Sequence, residues 1–284
     1  MTWGGDRAVM QYGTTNGQGT LNYYDITTTG NATSFGNLSQ GRHYNGGLSD
    51  STKVVWAGGY ANDATGYVDT MDYVTASTTG NASDFGNLSA NSSSYPEGTS
   101  NGTRGIFAGM FANNVIEYIT VATPSNSTDF GDLVGSMVKG NVESNGSRGV
   151  FLRPSNSFDY VSIDTTGNAS SFGTANTVQG QRASGSNDTY AVFAGGDESY
   201  NNAIEYITTA TLGNGTDFGD LAAGTREGSG TSNATRMTIN GGRKPSSSNT
   251  IEYVEIATPA NAQDFGDLLG TTDSKRSGAS GSPS

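Results

Sequence analysis

The sequence predicts an all-β fold, a six-bladed β-propeller of four-stranded antiparallel blades. Three observations carry that expectation. A Tyr-x7-Asn-x3-Phe-Gly frame recurs six times, with Tyr23, Tyr73, Tyr118, Tyr160, Tyr206 and Tyr253 leading and Phe35, Phe85, Phe130, Phe172, Phe218 and Phe265 closing it. Each unit reads as about four short strands, with no helical period anywhere. The successive Phe positions lie 42 to 50 residues apart, a length that fits one four-stranded propeller blade.

The third unit shows the elements in order. Arg104–Gly109 is short, apolar and Gly-ended, which marks a strand. Residues 110–114 form a connection. Val115–Ala122 is rich in β-branched and aromatic residues with apolar side chains on both faces, which suits a strand covered on both sides. Thr123–Ser127 is a turn, and Thr128–Leu133 is a short outer strand. A stretch of small residues then leads into the next unit. Small residues suit innermost strands crowded around an axis, as in Ala183-Ser-Gly-Ser-Asn and Glu227-Gly-Ser-Gly-Thr-Ser. One such sheet cannot bury both faces, but a ring of sheets can. The repeated Tyr and Phe are expected to fill the space between adjacent blades.

The whole chain is read as a single domain. Its blades are residues 277–284 plus 6–38, then 39–88, 89–133, 134–175, 176–221 and 222–268. The N-terminal unit starts at a second strand, Arg7–Gly13. The C-terminus, Ser277–Pro283, matches the inner-strand stretches that follow Arg182 and Arg226. The expectation is that the C-terminal strand pairs beside the N-terminal one and completes the first blade.

Composition narrows the function classes. Hydrophobic content is 33% and Gly contributes 42 residues, so the core must be thin and divided among many layers. The formal charge is −12 and the isoelectric point is about 4.3. An acidic surface repels phosphate backbones and anionic bilayers, so neither nucleic acid nor membrane is expected as a partner. No apolar run approaches 18 residues, so no membrane insertion is expected, and residues 1–7 hold no apolar core of a secretory signal. There is no Cys, which removes disulfides and thiolate metal sites.

No motif points to catalysis. Asp-Phe-Gly recurs with the repeat, with Ser34 and Ser171 in place of Asp, and no kinase-like lysine strand or His-Arg-Asp element accompanies it. The residues before the repeated Tyr are Asn22, Asp72, Glu117, Asp159, Glu205 and Glu252. A cation such as Ca²⁺ needs six to eight oxygens converging within about 2.6 Å. Carboxylates spaced by blade width do not converge, so local hydrogen bonding is expected of them. Asn-x-Ser/Thr triplets begin at Asn31, Asn81, Asn126, Asn168 and Asn214. Asn tolerates left-handed backbone and the following hydroxyl can cap a turn, so they read as turns. His43 is the one histidine, has no partner His or Cys, and is expected to be exposed or half-packed. No catalytic residue, metal or cofactor is expected.

The repeat resembles the kelch family across the whole chain, at the level of pattern. Ala57-Gly58-Gly59, Ala194-Gly195-Gly196 and Asn240-Gly241-Gly242 stand where kelch repeats carry a double Gly, and Phe replaces the usual outer Trp in all six units. Unit four departs with Leu152-Arg153, unit three with Gly109-Met110 and unit one with Tyr12-Gly13. Segments of the type SNGTRGVFAGG and IEYITIATTGNATDFGDL resemble kelch-like repeats in predicted structural proteins of tailed bacteriophages. That resemblance implies a non-enzymatic interaction module in a virion. It would be a decoration, fibre or baseplate-associated part of a larger assembly, binding other virion proteins or a host surface glycan or protein. A kelch branch with a copper radical oxidase needs a Cys-modified Tyr and His ligands, which this chain lacks. The alternative is a glycan-binding or adhesin propeller at a bacterial surface.

Function would sit on loops. The connections after the second strand and after the outer strand vary between units, and in an up-and-down blade both emerge on one face. That face would present Tyr60, Tyr67, Phe111, Tyr200, Arg243 and Lys244 from the first class and His43, Tyr44 and Tyr95 from the second. Tyr and Arg are frequent interface anchors.

Overall fold

Strand-forming runs such as Val115–Thr120 pair with five-residue neighbours on either side, and every regular element among the described residues is a β-strand. The computed structural model describes residues 5–12, 19–61, 66–89, 95–110, 113–177, 180–196, 200–272 and 277–281. Among them no helix is long and apolar enough to cross a membrane. The third unit folds as one antiparallel sheet in chain order: Glu97–Ser100, Arg104–Ala108, Val115–Thr120 and Thr128–Asp132. The first of these is a largely buried edge, and the last is an exposed edge that turns Phe130 inward.

The other units repeat this plan, with two additions. Six four-stranded sheets were expected. The described residues form seven sheets: five of four strands, one of five and one of three. The fifth strand, Arg243–Lys244, folds onto the start of the long strand Ser246–Glu255 in the sixth unit. The three-stranded sheet joins Arg42–His43, Tyr60–Ala61 and Gly66–Tyr67. The first addition arises within one connection, which turns back onto the strand it leads into; the second joins the connection after an outer strand to the connection after a second strand.

The two ends of the chain share a sheet. Gly278–Gly281 lies antiparallel to Arg7–Gln11, pairing Met10 with Gly278 and Arg7 with Gly281. The described part of the expected terminal pairing is therefore present; Gly13 and Pro283 lie outside the described residues.

Three sets of contacts link each unit to its neighbour. Six buried apolar clusters each span two units. One holds Ile106, Phe130, Phe151 and Ile163, and another joins Met10 and Tyr24 to Ile251 and Phe265. Each outer pairing shifts register at the repeated Phe. Such a bulge re-aims a side chain, here into the inter-unit cluster.

The second set runs along the buried edge strands. Ser49 Oγ donates to Ser280 O at 2.6 Å, Ser144 to Ser100 O at 2.7 Å, Ser186 to Ser144 O at 3.0 Å and Ser232 to Ser186 O at 3.0 Å. Ser280 donates to Ser232 O at 2.5 Å, and Ser100 donates to Ser49 O. Following these six hydroxyls leads from Ser49 back to Ser49.

The third set explains the repeated Asn. Asn81 Oδ1 accepts the backbone N–H of Asn37, Asn126 that of Asn87, Asn168 that of Asp132, Asn214 that of Thr174, Asn261 that of Asp220 and Asn31 that of Asp267. None of these Asn residues has positive φ. The expected local turn role is thus replaced by a bond between units. The Gly after each Phe makes room for it: a Cβ on Gly36 would lie 2.0 Å from the carbonyl oxygen of Gly80.

The residue before each repeated Tyr is used locally. Asp72 accepts from Ser39 Oγ and pairs with Arg42, Asp159 pairs with Arg153, Glu205 with Arg182 and Glu252 with Lys244. Glu117 accepts from the Ser89 amide and hydroxyl and from Ser127 Oγ. Unit one has Asn22 instead, fully buried, with neither side-chain N nor O partnered among the described residues. Replacing a buried unsatisfied amide with a similar-sized apolar group removes a desolvation cost of about 1–3 kcal/mol. Asn22→Leu is therefore expected to raise the melting temperature by a few degrees; a lower melting temperature would show that the amide is needed.

Candidate interaction face

The two variable connection classes meet in space. Arg42–His43 follows the outer strand of unit one, and Tyr60–Ala61 follows the second strand of unit two; these segments are hydrogen-bonded neighbours. His43 lies opposite Tyr60, and Tyr60 opposite Tyr67. Directly opposed residues share one face of a sheet. The ring centroids are accordingly 5.4 Å apart for His43–Tyr60 and 5.1 Å for Tyr60–Tyr67. Gly59 lets this happen: its φ is +106°, and a Cβ there would sit 2.6 Å from the His43 carbonyl oxygen.

The line of rings continues inward. Tyr44 lies 4.4 Å from His43 and 4.3 Å from Tyr95. Lys139 Nζ stands 5.7 Å from the Tyr95 ring centre. Tyr67 is 42% exposed at one end of the line, whereas His43 is buried at 6%. The expectation of an exposed or half-packed histidine is corrected: Tyr44 and Tyr60 cover its ring.

Tyr44 and Tyr95 belong to a wider set. Tyr44, Tyr95, Lys139, Gln181 and Glu227 have φ of 58°, 59°, 62°, 53° and 59°. Each lies two residues ahead of a buried edge strand. Left-handed backbone costs a non-Gly residue of order 1–3 kcal/mol and persists where the surroundings over-determine it. Here the surroundings are each other. Tyr95 N–H donates to Tyr44 O at 3.1 Å, Gln181 to Lys139 O at 2.8 Å and Glu227 to Gln181 O at 3.2 Å. Burial chiefly, then the Tyr44 phenol, and after it Tyr67 and the Glu227 carboxylate, push the Tyr95 hydroxyl well above its ordinary range, so Tyr67 also lies near Tyr95. Tyr95 therefore stays neutral at physiological pH.

A second group lies around Tyr200. Arg226 stacks at 5.0 Å from its ring centre, and the Tyr200 hydroxyl faces Pro245 O at 3.5 Å. Arg226 and Arg243 form an antiparallel bridge. Lys244 is turned away from this group, with Nζ 2.5 Å from Glu252 and 3.0 Å from Thr250 Oγ1. Phe111 lies outside the described residues. The structure thus joins His43, Tyr44, Tyr60, Tyr67 and Tyr95 in one line, places Tyr200 and Arg243 in another group, and gives Lys244 to an internal ion pair.

Sequence reasoning missed Lys139, Gln181 and Glu227, and Arg226 beside Glu227. The first three share only their position two residues ahead of a buried edge strand, and nothing in their residue types announces left-handed backbone.

Between the buried edge strands lies a cavity of about 30 Å³, lined in part by Gly47, Gly98, Glu143, Gly230 and Gly278. That holds a water or two and is far below the roughly 300–1,000 Å³ of a small-molecule site. No group of three or more His, Asp or Glu placed to hold a metal occurs among the described residues. Compared with known proteins, the chain matches no family model and has no significant match among curated sequences.

Proposed function

We propose that this chain is a closed, six-bladed, kelch-like propeller that serves as a non-enzymatic interaction module, a virion component of a tailed bacteriophage. The closed ring is supported by the hydroxyl sequence that returns to Ser49, by the Asn31–Asp267 bond that links unit six to unit one, and by the shared terminal sheet. On this reading the six larger sheets are blades, and the three-stranded sheet is an addition to one face.

The observation that carries the interaction role is the aromatic line from Tyr67 to Tyr95, assembled from two connection classes on a single face. Rigid aromatic rings supply contact area at low entropic cost, and loops on a rigid scaffold commonly carry recognition. The partners are other virion proteins or a host surface, held by shape complementarity without chemistry.

The deciding experiment is mass spectrometry of purified particles of the phage that encodes the chain. It should appear at fixed stoichiometry with the other structural proteins, and its absence from particles would defeat the reading. The face is tested separately with Tyr60→Ala/Tyr67→Ala. Both residues sit on the small sheet, so the melting temperature should drop only slightly while particle incorporation or partner affinity falls at least tenfold. Unchanged incorporation would move the interface elsewhere.

A further inference from the structure

We propose that the turns of unit five carry a docking site for a cationic side chain, an arginine, of a partner protein. The other units show what such a site holds. The first residue of the second strand is a cation in five units: Arg7, Lys53, Arg104, Arg148 and Arg236. Each stands over the repeated Tyr of its own unit. The guanidinium carbons lie 4.2–4.8 Å from the ring centres and the Lys53 ammonium 5.8 Å. Each also donates to a backbone carbonyl of the next unit, at 2.6–3.1 Å: Ala76, Ala122, Ile163, Thr209 and Ile26. A cation so placed gains from the ring quadrupole and from a charge-assisted hydrogen bond together.

Unit five departs at two positions. Tyr190 brings an aromatic ring where the other units bring a cation. Its ring centre lies 5.3 Å from that of Tyr206, with the planes at 87°. Arg236 donates to the carbonyls of Ile26 and Thr27; the matching carbonyls beside Tyr190 are those of Ile256 and Ala257, and no donor among the described residues reaches them. The second departure is Asp188, an exposed carboxylate in the turn that leads to Tyr190. The other units have Gly5, Ser51, Gly102, Gly146 and Ala234 there. Asn187 fixes this turn against unit six by donating to Ala234 O at 3.3 Å.

Both departures act in one direction. A cation is lost and a carboxylate gained at one seam, in a chain whose net charge is −12. Two half-buried rings at right angles form a corner beside two unclaimed carbonyls. An arginine from a partner restores there what the other five units supply from within. Its guanidinium lies against the rings, its N–H groups reach Ile256 O and Ala257 O, and Asp188 attracts it. Arginine suits the corner better than lysine, because a planar guanidinium stacks on rings and divides its donors between two acceptors. These turns emerge on the face opposite the connections that carry Tyr60 and Tyr95. The proposal therefore goes beyond the interaction-face reading and does not rest on it.

The test uses the full chain and the ring signals of Tyr190 and Tyr206 in nuclear magnetic resonance. Acetyl-arginine amide is added at constant ionic strength. Those signals should shift saturably, while those of Tyr118 and Tyr253, already covered by Arg104 and Arg236, stay still. Acetyl-citrulline amide, of the same shape without the charge, should give no saturation. Tyr190→Arg supplies the cation from within, so the titration should vanish and the melting temperature rise by a few degrees. Asp188→Asn, a change in an exposed turn, should weaken binding several-fold at an unchanged melting temperature, and it decides the question if Tyr190→Arg does not fold. Equal shifts with citrulline, equal shifts at Tyr118 and Tyr253, no saturation, or an undiminished titration in either variant would each overturn the site. Tyr60→Ala/Tyr67→Ala should leave the titration unchanged, whatever it does to binding at the opposite face.

Discussion

Deleting residues 277–284 is expected to lower the melting temperature by about 10–20 °C or to abolish cooperative unfolding. The strand Gly278–Gly281 covers the buried edge of Arg7–Gln11. Ser277 O accepts from the Trp56 indole at 3.1 Å and from Gln11 N–H at 3.2 Å. Ser280 accepts from Ser49 and donates to Ser232. Ala279 is fully buried in the cluster that also holds Val9 and Trp56. Deletion would therefore strand several buried donors and acceptors at about 1–3 kcal/mol each. A total near 5 kcal/mol corresponds to roughly 10–20 °C for a chain of this size, a large share of typical domain stability. A synthetic peptide of residues 277–284 added to the shortened protein should restore part of the loss. In an open array the last strand would merely fray, as chain termini commonly do. A melting temperature within a degree or two of the full chain would therefore exclude the closed ring.

The all-β architecture was legible because it is written as repetition. Six copies of Tyr, Asn and Phe-Gly at fixed spacing reveal units before any strand is assigned. The small residues of 278–281 resemble the other buried edge strands closely enough to suggest the terminal pairing. The extra sheet was not legible. Arg42–His43 and Tyr60–Ala61 are two-residue strands in segments that vary between units, and their pairing follows from the proximity of two loops rather than from local pattern. Lys244 illustrates the same limit. Read along the chain it follows Arg243 as a second loop cation, yet only the fold reveals Glu252 within reach of its ammonium. The Asn role was misread for a related reason. A turn-forming residue type was sufficient to explain the local chain, so the neighbouring unit's N–H was invisible.

Arg42→Met is expected to cost about 3–5 kcal/mol, because it leaves a buried carboxylate without its cation. Arg42 and Asp72 are both fully buried, with Nη1 2.7 Å from Oδ2. Ser39 Oγ, at 2.6 Å from Asp72 Oδ1, cannot replace the lost charge. The guanidinium also approaches the carbonyls of Gln40 and Trp56 at 3.3 and 3.4 Å, so its loss frees acceptors as well. Adding Asp72→Leu should recover most of the stability, since a buried pair exchanged for apolar groups is often neutral or better. A double-mutant cycle then isolates the coupling. The interaction face gives a second readout. Arg42 lies in the two-residue strand that carries His43, so its ion pair also helps hold the middle of the aromatic line. The double variant should melt near the parent temperature yet bind its partner less well than the parent does. Recovery of both properties would mean that the pair stabilises the fold without positioning the face. A single variant as stable as the parent would show that Asp72 needs no cation.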